Sequence, residues 1–350
     1  HKEYRRQRQM CIRDRAKITP RLEGKFSLSE NIIDDLQLGV SKNWFSGSAL
    51  ASVILDFPSD GDATFRLTSD LKGLEVQIPE VGLLKNKKAS SSFEVTGYIS
   101  DNIYYDKMFI SAEDFELNVS IDNNEKYLIE RLFRKDIFDV SGFASKDGLE
   151  FTGGKFNLAN YLKFTEPKHK SKSGIPVSVN LDTLNITDSF YIDNFSTRFV
   201  SDSINGTFAG LFMGAEPVTG SFGSENGYRF AEILSNDAGA FLQAAGLIKR
   251  GAEGKLNLRI NRNADGIKGR LFTESLKIYD LPALAKLLQS LSIIGLLEQM
   301  LGQGLFLSES EINFRLDDKQ YIIDRASFFG PSLGISCLLY TSPSPRDVEE

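Results

Sequence analysis

Over most of its length the chain alternates apolar and polar residues with a period of two, the spacing that turns the large side chains of a strand onto one face. The pattern is plain at Leu74-x-Val76-x-Ile78, which Pro79 ends, at Phe93-x-Val95, and at Phe115-x-Leu117-x-Val119-x-Ile121, which Asp122-Asn123-Asn124 stops. It recurs at Leu149-x-Phe151, Phe156-x-Leu158, Val177-x-Val179-x-Leu181, Leu256-x-Leu258-x-Ile260, Leu276-x-Ile278, Ile312-x-Phe314-x-Leu316 and Tyr321-x-Ile323. Turn signals separate them at Asp60-Gly61, Asp147-Gly148, Asn205-Gly206, Asn226-Gly227, Asp265-Gly266 and Asp317-Asp318. Strands joined by short turns pair antiparallel. The predicted fold is therefore mainly β: a long curved antiparallel meander forming an open, groove-like sheet, with a few short amphipathic helices.

Two stretches carry helical signals instead. Ser235-Asn236-Asp237 offers capping oxygens, Ala238 to Ala245 run on with only Gly239 as a breaker, and Gly246 supplies a stop, which predicts a helix near 236–246. A second is predicted near 281–301: Asp280 caps it, Pro282 sits near its start, and Leu284, Leu288 and Leu291 recur on one face. After Ser292, Leu296, Leu297 and Met300 lead to the stop at Gly302-Gln303-Gly304. Lys286, Gln289, Glu298 and Gln299 interrupt the apolar run, so this reads as a helical hairpin packed on the sheet through those five leucines, not as a membrane span.

The ends need a different reading. Met10-Cys11-Ile12-Arg13-Asp14 is what ATG TGT ATA AGA GAC encodes, a transposase mosaic end used in sequencing libraries, and Cys337-Leu338-Leu339-Tyr340-Thr341-Ser342 is its reverse complement, followed by adapter tail. Residues 1–15 and 337–350 are accordingly expected to be adapter-derived and to pack poorly on the rest. The chain then reads as an internal fragment of a longer protein: 16–167 as the first part of the sheet, 168–174 as a polar basic loop, and 175–336 as a second part holding both helices. Both cysteines, Cys11 and Cys337, fall in the suspect ends, as does His1. Those ends carry +4 and −2, so the remainder stands at −8 where the whole chain stands at −6. An acidic chain of this kind is a poor partner for a phosphate backbone, and no nucleic acid is expected. Hydrophobic content of 41% with 25% charged residues is that of a folded chain, and 26 Phe against one Trp suits half-buried pleated surfaces.

Searches for chemistry end early. His169, the one remaining histidine, lies among lysines, and no Cys/His set keeps metal-ligand spacing. Gly302-x-Gly304 lacks a third glycine and follows a helix, so it is no dinucleotide fingerprint. Asp34-Asp35, Glu113-Asp114 and Asp317-Asp318 are adjacent carboxylates that belong to turns or to opposite faces of a strand. Ser221 and Ser224 sit in a Gly-rich stretch read as a turn, without the spacing of a nucleophile elbow. No enzyme, cofactor or metal is expected. What remains is a physical demand: a long alternating sheet has an apolar face that a second sheet, a helix or an apolar ligand must cover. Phe115, Leu117, Val119, Val177, Val179, Leu181, Leu256 and Leu258 are the candidate groove-lining residues, expected to face a common apolar channel.

At the second predicted helix the chain resembles a known family. Asp280-Leu281-Pro282-Ala283-Leu284-Ala285-Lys286-Leu287-Leu288, Leu291-Ser292-Ile293-Ile294-Gly295-Leu296-Leu297, Gly302-Gln303-Gly304-Leu305-Phe306 and Phe329-Gly330-Pro331-Ser332-Leu333-Gly334-Ile335, in that order, are similar to the AsmA-like C-terminal region of YhdP-type envelope proteins, relatives of AsmA and TamB. Ser235 to Ala240 with Ala244 to Leu247 resembles that family's earlier helix, and Asp70 to Leu74 with Ile78-Pro79 and Lys85 its upstream strand pair. The chain departs from the pattern at Glu253-Gly254, where the family has a glycine pair, and beyond Ile335, where adapter sequence begins. The resemblance implies a non-catalytic periplasmic protein of a Gram-negative cell, anchored to the inner membrane through an N-terminal segment absent here. It also implies a groove that takes phospholipid acyl chains and serves lipid transport in outer-membrane biogenesis. The alternative is an envelope structural or assembly factor whose β core is sealed by its own side chains. A β-solenoid adhesin would need a fixed repeat, and an outer-membrane barrel would need longer strands with aromatic girdles.

Overall fold

Alternation becomes strand almost everywhere it occurs, because a pleated backbone can satisfy its polar groups sideways while burying every second side chain. The computed structural model describes residues 20–36, 41–78, 83–122, 126–164, 174–201, 203–225, 228–263, 266–280, 304–317, 320–331 and 333–338. It divides at Lys146/Asp147 into two compact units.

The first unit holds β1 (Arg21–Ser29), α1 (Glu30–Asp35), β2 (Phe45–Asp56), β3 (Ala63–Ser69), β4 (Leu74–Ile78), β5 (Leu83–Lys85), β6 (Ser92–Ile99), β7 (Ile103–Ala112), β8 (Phe115–Asp122), β9 (Lys126–Arg134) and β10 (Phe138–Ser145). Its antiparallel ladder runs β1-β2-β3-β6-β7-β8-β9-β10. The small β4–β5 hairpin stands aside and pairs with Phe45, Ser46 and Gly47 at the start of β2. The turn into β4 needs left-handed backbone at Leu71 and Gly73. It is pinned by the buried Lys85, whose Nζ donates to the carbonyls of Leu71 at 2.6 Å, Leu74 at 2.8 Å and Asn86 at 3.3 Å. Desolvation pushes the Lys85 pKa down, and nearby Asp70 opposes that.

The second unit holds β11 (Gly148–Asn157), α2 (Leu158–Phe164), β12 (Pro176–Asn185), β13 (Tyr191–Val200), β14 (Ser203–Phe212), β15 (Glu216–Glu225), β16 (Tyr228–Ser235), α3 (Ala238–Ala244), β17 (Arg250–Ala252), β18 (Lys255–Asn263), β19 (Gly266–Asp280), β20 (Leu305–Asp317), β21 (Gln320–Gly330) and β22 (Leu333–Leu338). From β12 the antiparallel ladder passes through β13, β14, β15, β16, β18, β19, β20 and β21 to β22, and β17 pairs with the far end of β19. In neither unit does a described ladder join the first strand to the last, so neither closes into a barrel.

Several expectations need correction. The meander is not antiparallel throughout: β11 and β12 are parallel, joined by a crossover that contains α2. Leu158 opens that helix and does not end a strand, because the Asn157 side chain caps it, Oδ1 accepting from the Asn160 N–H at 2.9 Å. Asp34-Asp35 lies on α1, a helix the alternation hides, with Asp34 3.7 Å from Lys42. The unit boundary falls at 146/147, ahead of the polar loop 168–174, of which 168–173 lie outside the described residues. Asn205-Gly206 is not a turn but the interior of β14, and Gly220-Ser221-Phe222-Gly223 is the interior of β15. The second predicted helix, with Leu284, Leu288, Leu291, Leu296 and Leu297, lies outside the described residues, as do residues 1–15 and 339–350. Cys337 and Leu338 extend β22 two positions into the segment read as adapter, pairing with Ala326 and Arg325. A ladder is built by backbone groups, so its continuation there asks nothing of the side chains.

Candidate functional site: a half-covered apolar sheet face

In each unit the ladder register gathers the large apolar side chains onto one face. In the first unit Leu28, Ala51, Leu67, Val95 and Phe115 form the centre of that face and are buried. They sit at the strand ends over which the chain lays α1, through Ile32, Ile33 and Leu36, and the β4–β5 hairpin, through Leu74, Val76 and Leu83. The Tyr105 hydroxyl donates to the Leu36 carbonyl and ties α1 down, and burial raises the Tyr105 pKa. Toward the opposite strand ends the same face continues without a described cover. Leu22 is 58% exposed there and Ile103 50%, with Ile99 and Tyr127 also exposed. Register places these four with the core residues and not against them: Leu22 opposes Leu55, Ile99 opposes Ile103, and Tyr127 opposes Ile121.

The second unit repeats the plan with other parts. α3 seals one end of the face. Asp237 caps this helix, its side chain accepting from the Ala240 N–H at 2.9 Å, and Gly246, with positive φ, ends it. Its Phe241 stacks on Phe212 of β14 at 4.2 Å. Around that contact Ile192, Val218, Leu256, Leu276, Ile278, Leu305 and Leu307 are buried. Away from α3 the face stays apolar but only half-buried, at Val179, Phe199, Phe222, Leu258, Ile260, Ile267 and Phe314.

Aromatic rings pave this face, and glycines let them lie down. Phe65 stands directly across from Gly97, Phe208 from Gly220, Phe222 from Gly206, and Phe314 from Gly269. A methyl group at Gly220 would lie 2.3 Å from the Phe208 ring and one at Gly269 2.1 Å from the Phe314 ring, so each glycine vacates the space its partner fills. Phe195, Phe208, Phe222 and Phe199 form a continuous run of ring contacts at 5.7, 6.5 and 6.0 Å. The opposite faces carry ion pairs, interspersed with exposed apolar residues such as Leu50, Leu128, Phe143 and Leu234. Arg131 reaches Asp139 at 2.9 Å and Glu116 at 3.3 Å, Arg259 reaches Glu225 at 3.0 Å, and Arg270 reaches Glu311 at 2.8 Å. The Arg270 and Asn313 hydrogen bonds hold the Glu311 carboxyl at about 2.

The structure sorts the candidate groove residues into two groups. Phe115, Val119, Val177, Leu181 and Leu256 lie on the apolar faces but are buried, Phe115 and Leu256 to 2% exposure, so they belong to sealed core. Leu117, Val179 and Leu258 are half-buried, and Val179 and Leu258 lie on the uncovered part of their face. Phe115, Leu117 and Val119 belong to the first unit and the other five to the second. Sequence reasoning missed Phe65, Phe208 and Phe222, because the glycines that mark their seats were read as turns or passed over.

Among the described residues no group of three or more His, Cys, Asp or Glu is arranged to hold a metal ion, and no described helix is long and apolar enough to cross a membrane. Comparison with protein-family models, with curated proteins and with solved structures found no match.

Proposed function

We propose that the chain is a non-catalytic lipid-binding segment of a Gram-negative envelope protein, related to the AsmA-like region it resembles, in which acyl chains lie along the uncovered part of each apolar sheet face. The observation that carries this reading is the exposure of Leu22, Ile99, Ile103 and Tyr127 on the core side of their sheet. Apolar area left in water costs about 25 cal/mol per Å², and an acyl chain relieves that without asking for polar partners. The flattened phenylalanines support it further, since rings lying along a sheet leave a smooth surface for a flexible chain. The protein would sit in the periplasm of an inner-membrane-anchored parent and pass phospholipid between membranes.

The alternative, an envelope scaffold with a self-sealed core, draws support from the complete burial under α3 and under α1. Photo-crosslinking separates the two. A benzoyl-phenylalanine placed at Ile99 or Leu258 is expected to capture phospholipid when the protein is made in cells, and one at Leu28 or Leu256 is not. Absence of lipid at all four positions would leave the scaffold as the better description.

A further inference from the structure

The face of the first unit that points away from its core carries a cleft of about 420 Å³ that the lipid reading does not use. Such a volume falls within the range of about 300–1,000 Å³ usual for small-molecule sites. Its floor is one cross-strand row, because Ser52 of β2 pairs with Thr68 of β3, Thr68 with Glu94 of β6, and Glu94 with Phe109 of β7. At one side stand Asp70 and Ser91, joined through the backbone by Ser91 N–H donating to the Asp70 carbonyl at 2.8 Å.

The chemistry of this lining is specific. The Ser69 hydroxyl is already engaged, donating to the Leu50 carbonyl at 2.8 Å and accepting from the Leu71 N–H at 3.0 Å. The hydroxyls of Ser52, Thr68 and Ser92 have no hydrogen-bond partner among the described residues; the Ser91 hydroxyl oxygen also has none, but it is buried beneath the cleft surface and a side-chain rotation would be needed to present it. A buried, unpaired hydroxyl is costly and rare. The Asp70 carboxylate spends one oxygen on the Lys72 N–H at 3.0 Å. Among the described residues Glu94 pairs only with Arg66, at 3.6 Å, on an exposed strand surface. Against these polar groups lie the Phe109 ring and Leu50, which is 62% exposed.

We infer that this cleft binds a neutral saccharide of one or two rings. A pyranose offers neighbouring hydroxyls that donate to carboxylates and exchange bonds with serine and threonine, and it offers a C–H face that packs on an aromatic ring. No Lys or Arg lines the cleft, and its two carboxylates repel phosphate and other anions. A bare cation would find no use for Leu50 and Phe109. The inference stands apart from the lipid reading, which concerns the opposite face.

The test is calorimetric titration of the full chain with a panel of neutral mono- and disaccharides that includes maltose, lactose and N-acetylglucosamine. At least one is expected to bind with a Kd of about 1 mM or tighter. Glu94→Gln and Thr68→Val should each weaken that binding about tenfold, the loss expected when a hydrogen bond to a charged or buried partner is removed. Ser178→Ala, on the outer face of β12, should leave it unchanged, and circular dichroism with melting curves checks that each variant folds. The inference is overturned if no sugar of the panel binds, if binding ignores both cleft substitutions, or if calcium chloride binds in place of sugar and is lost in Glu94→Gln.

Discussion

Gly269 faces the Phe314 ring, and the three atoms nearest to an added methyl group all belong to that ring. Gly269→Ala is therefore expected to cost about 1–3 kcal/mol through overpacking, while the same change made on top of Phe314→Ala should cost much less. Urea denaturation of the two single variants and the double variant measures the coupling, and strict additivity would show that the ring does not occupy the glycine's space. These pairs also explain what sequence reading missed at this scale. Glycine signals a turn when it stands beside Asn or Asp, and Asn205-Gly206 has that form, yet here Gly206 is a seat for Phe222 and the Asn205 side chain accepts from the Ser224 N–H at 2.8 Å across the strands. Nothing local distinguishes the two uses, because the deciding partner is on another strand. A second residue-scale expectation concerns Glu311, whose pKa of about 2 lies below the ordinary 4.5. A depressed carboxyl stabilises the folded state above its unfolded pKa, and that contribution is lost as the pH falls from about 4.5 toward 2. Arg270→Met should move the Glu311 titration, followed by carboxyl NMR, back toward 4.5; an unmoved titration would mean that Asn313 alone sets it.

Among the elements, α3 was legible from Ser235 to Gly246 because cap, body and stop stand next to one another in the chain. The structure keeps the body and places the cap on Asp237, one of the three residues the sequence offered, while the Ser235 hydroxyl donates to the buried Glu216 at 2.6 Å. Asp237→Ala is expected to cost about 0.5–2 kcal/mol, as loss of an N-cap does, with thermal melting as the readout and Asp237→Asn nearly neutral. α1 and α2 were not legible. At six and seven residues they are too short for a helical period to emerge from the alternation on either side, and packing maintains them more than propensity. The turn before β4 makes a further test. Lys85→Met keeps the aliphatic stem but strands the Leu71 and Leu74 carbonyls, so it should destabilise the first unit by about 1–3 kcal/mol. Since burial lowers the Lys85 pKa, the wild-type folded state binds fewer protons than the unfolded chain, and this residue's contribution should improve as pH rises toward 10.5. A stability difference between Lys85→Met and wild type that stays flat over that interval would contradict the burial argument.

At the scale of the molecule, period-two alternation identified the face but could not say which part of it is covered, since cover comes from α1, α3 and the β4–β5 hairpin, elements distant in sequence from the strands they shield. That is why Leu256 and Leu258, two residues apart on one face, were expected to behave alike and are now expected to differ. Leu256→Lys should unfold the second unit, because its ammonium would be stranded at a site only 2% exposed, whereas Leu258→Lys can reach water along the open part of the face and should remain folded. Circular dichroism and melting curves decide between these outcomes, and equal damage from both would show the face to be sealed throughout. One consequence of the ladder order reaches beyond binding. From β12 to β16, from β18 to β19 and from β20 to β22 every strand pairs with its neighbour in sequence across a short connection, whereas β19 and β20 pair across residues 281–304. Such a chain behaves nearly as a one-dimensional array, in which nucleation can begin at any hairpin and damage spreads only to adjacent strands. The parallel contact of β11 with β12 and the pairing of β19 with β20 are the exceptions, since each must wait for a long connection to close. Hydrogen exchange should accordingly report these two as the last ladders of the second unit to gain protection during refolding.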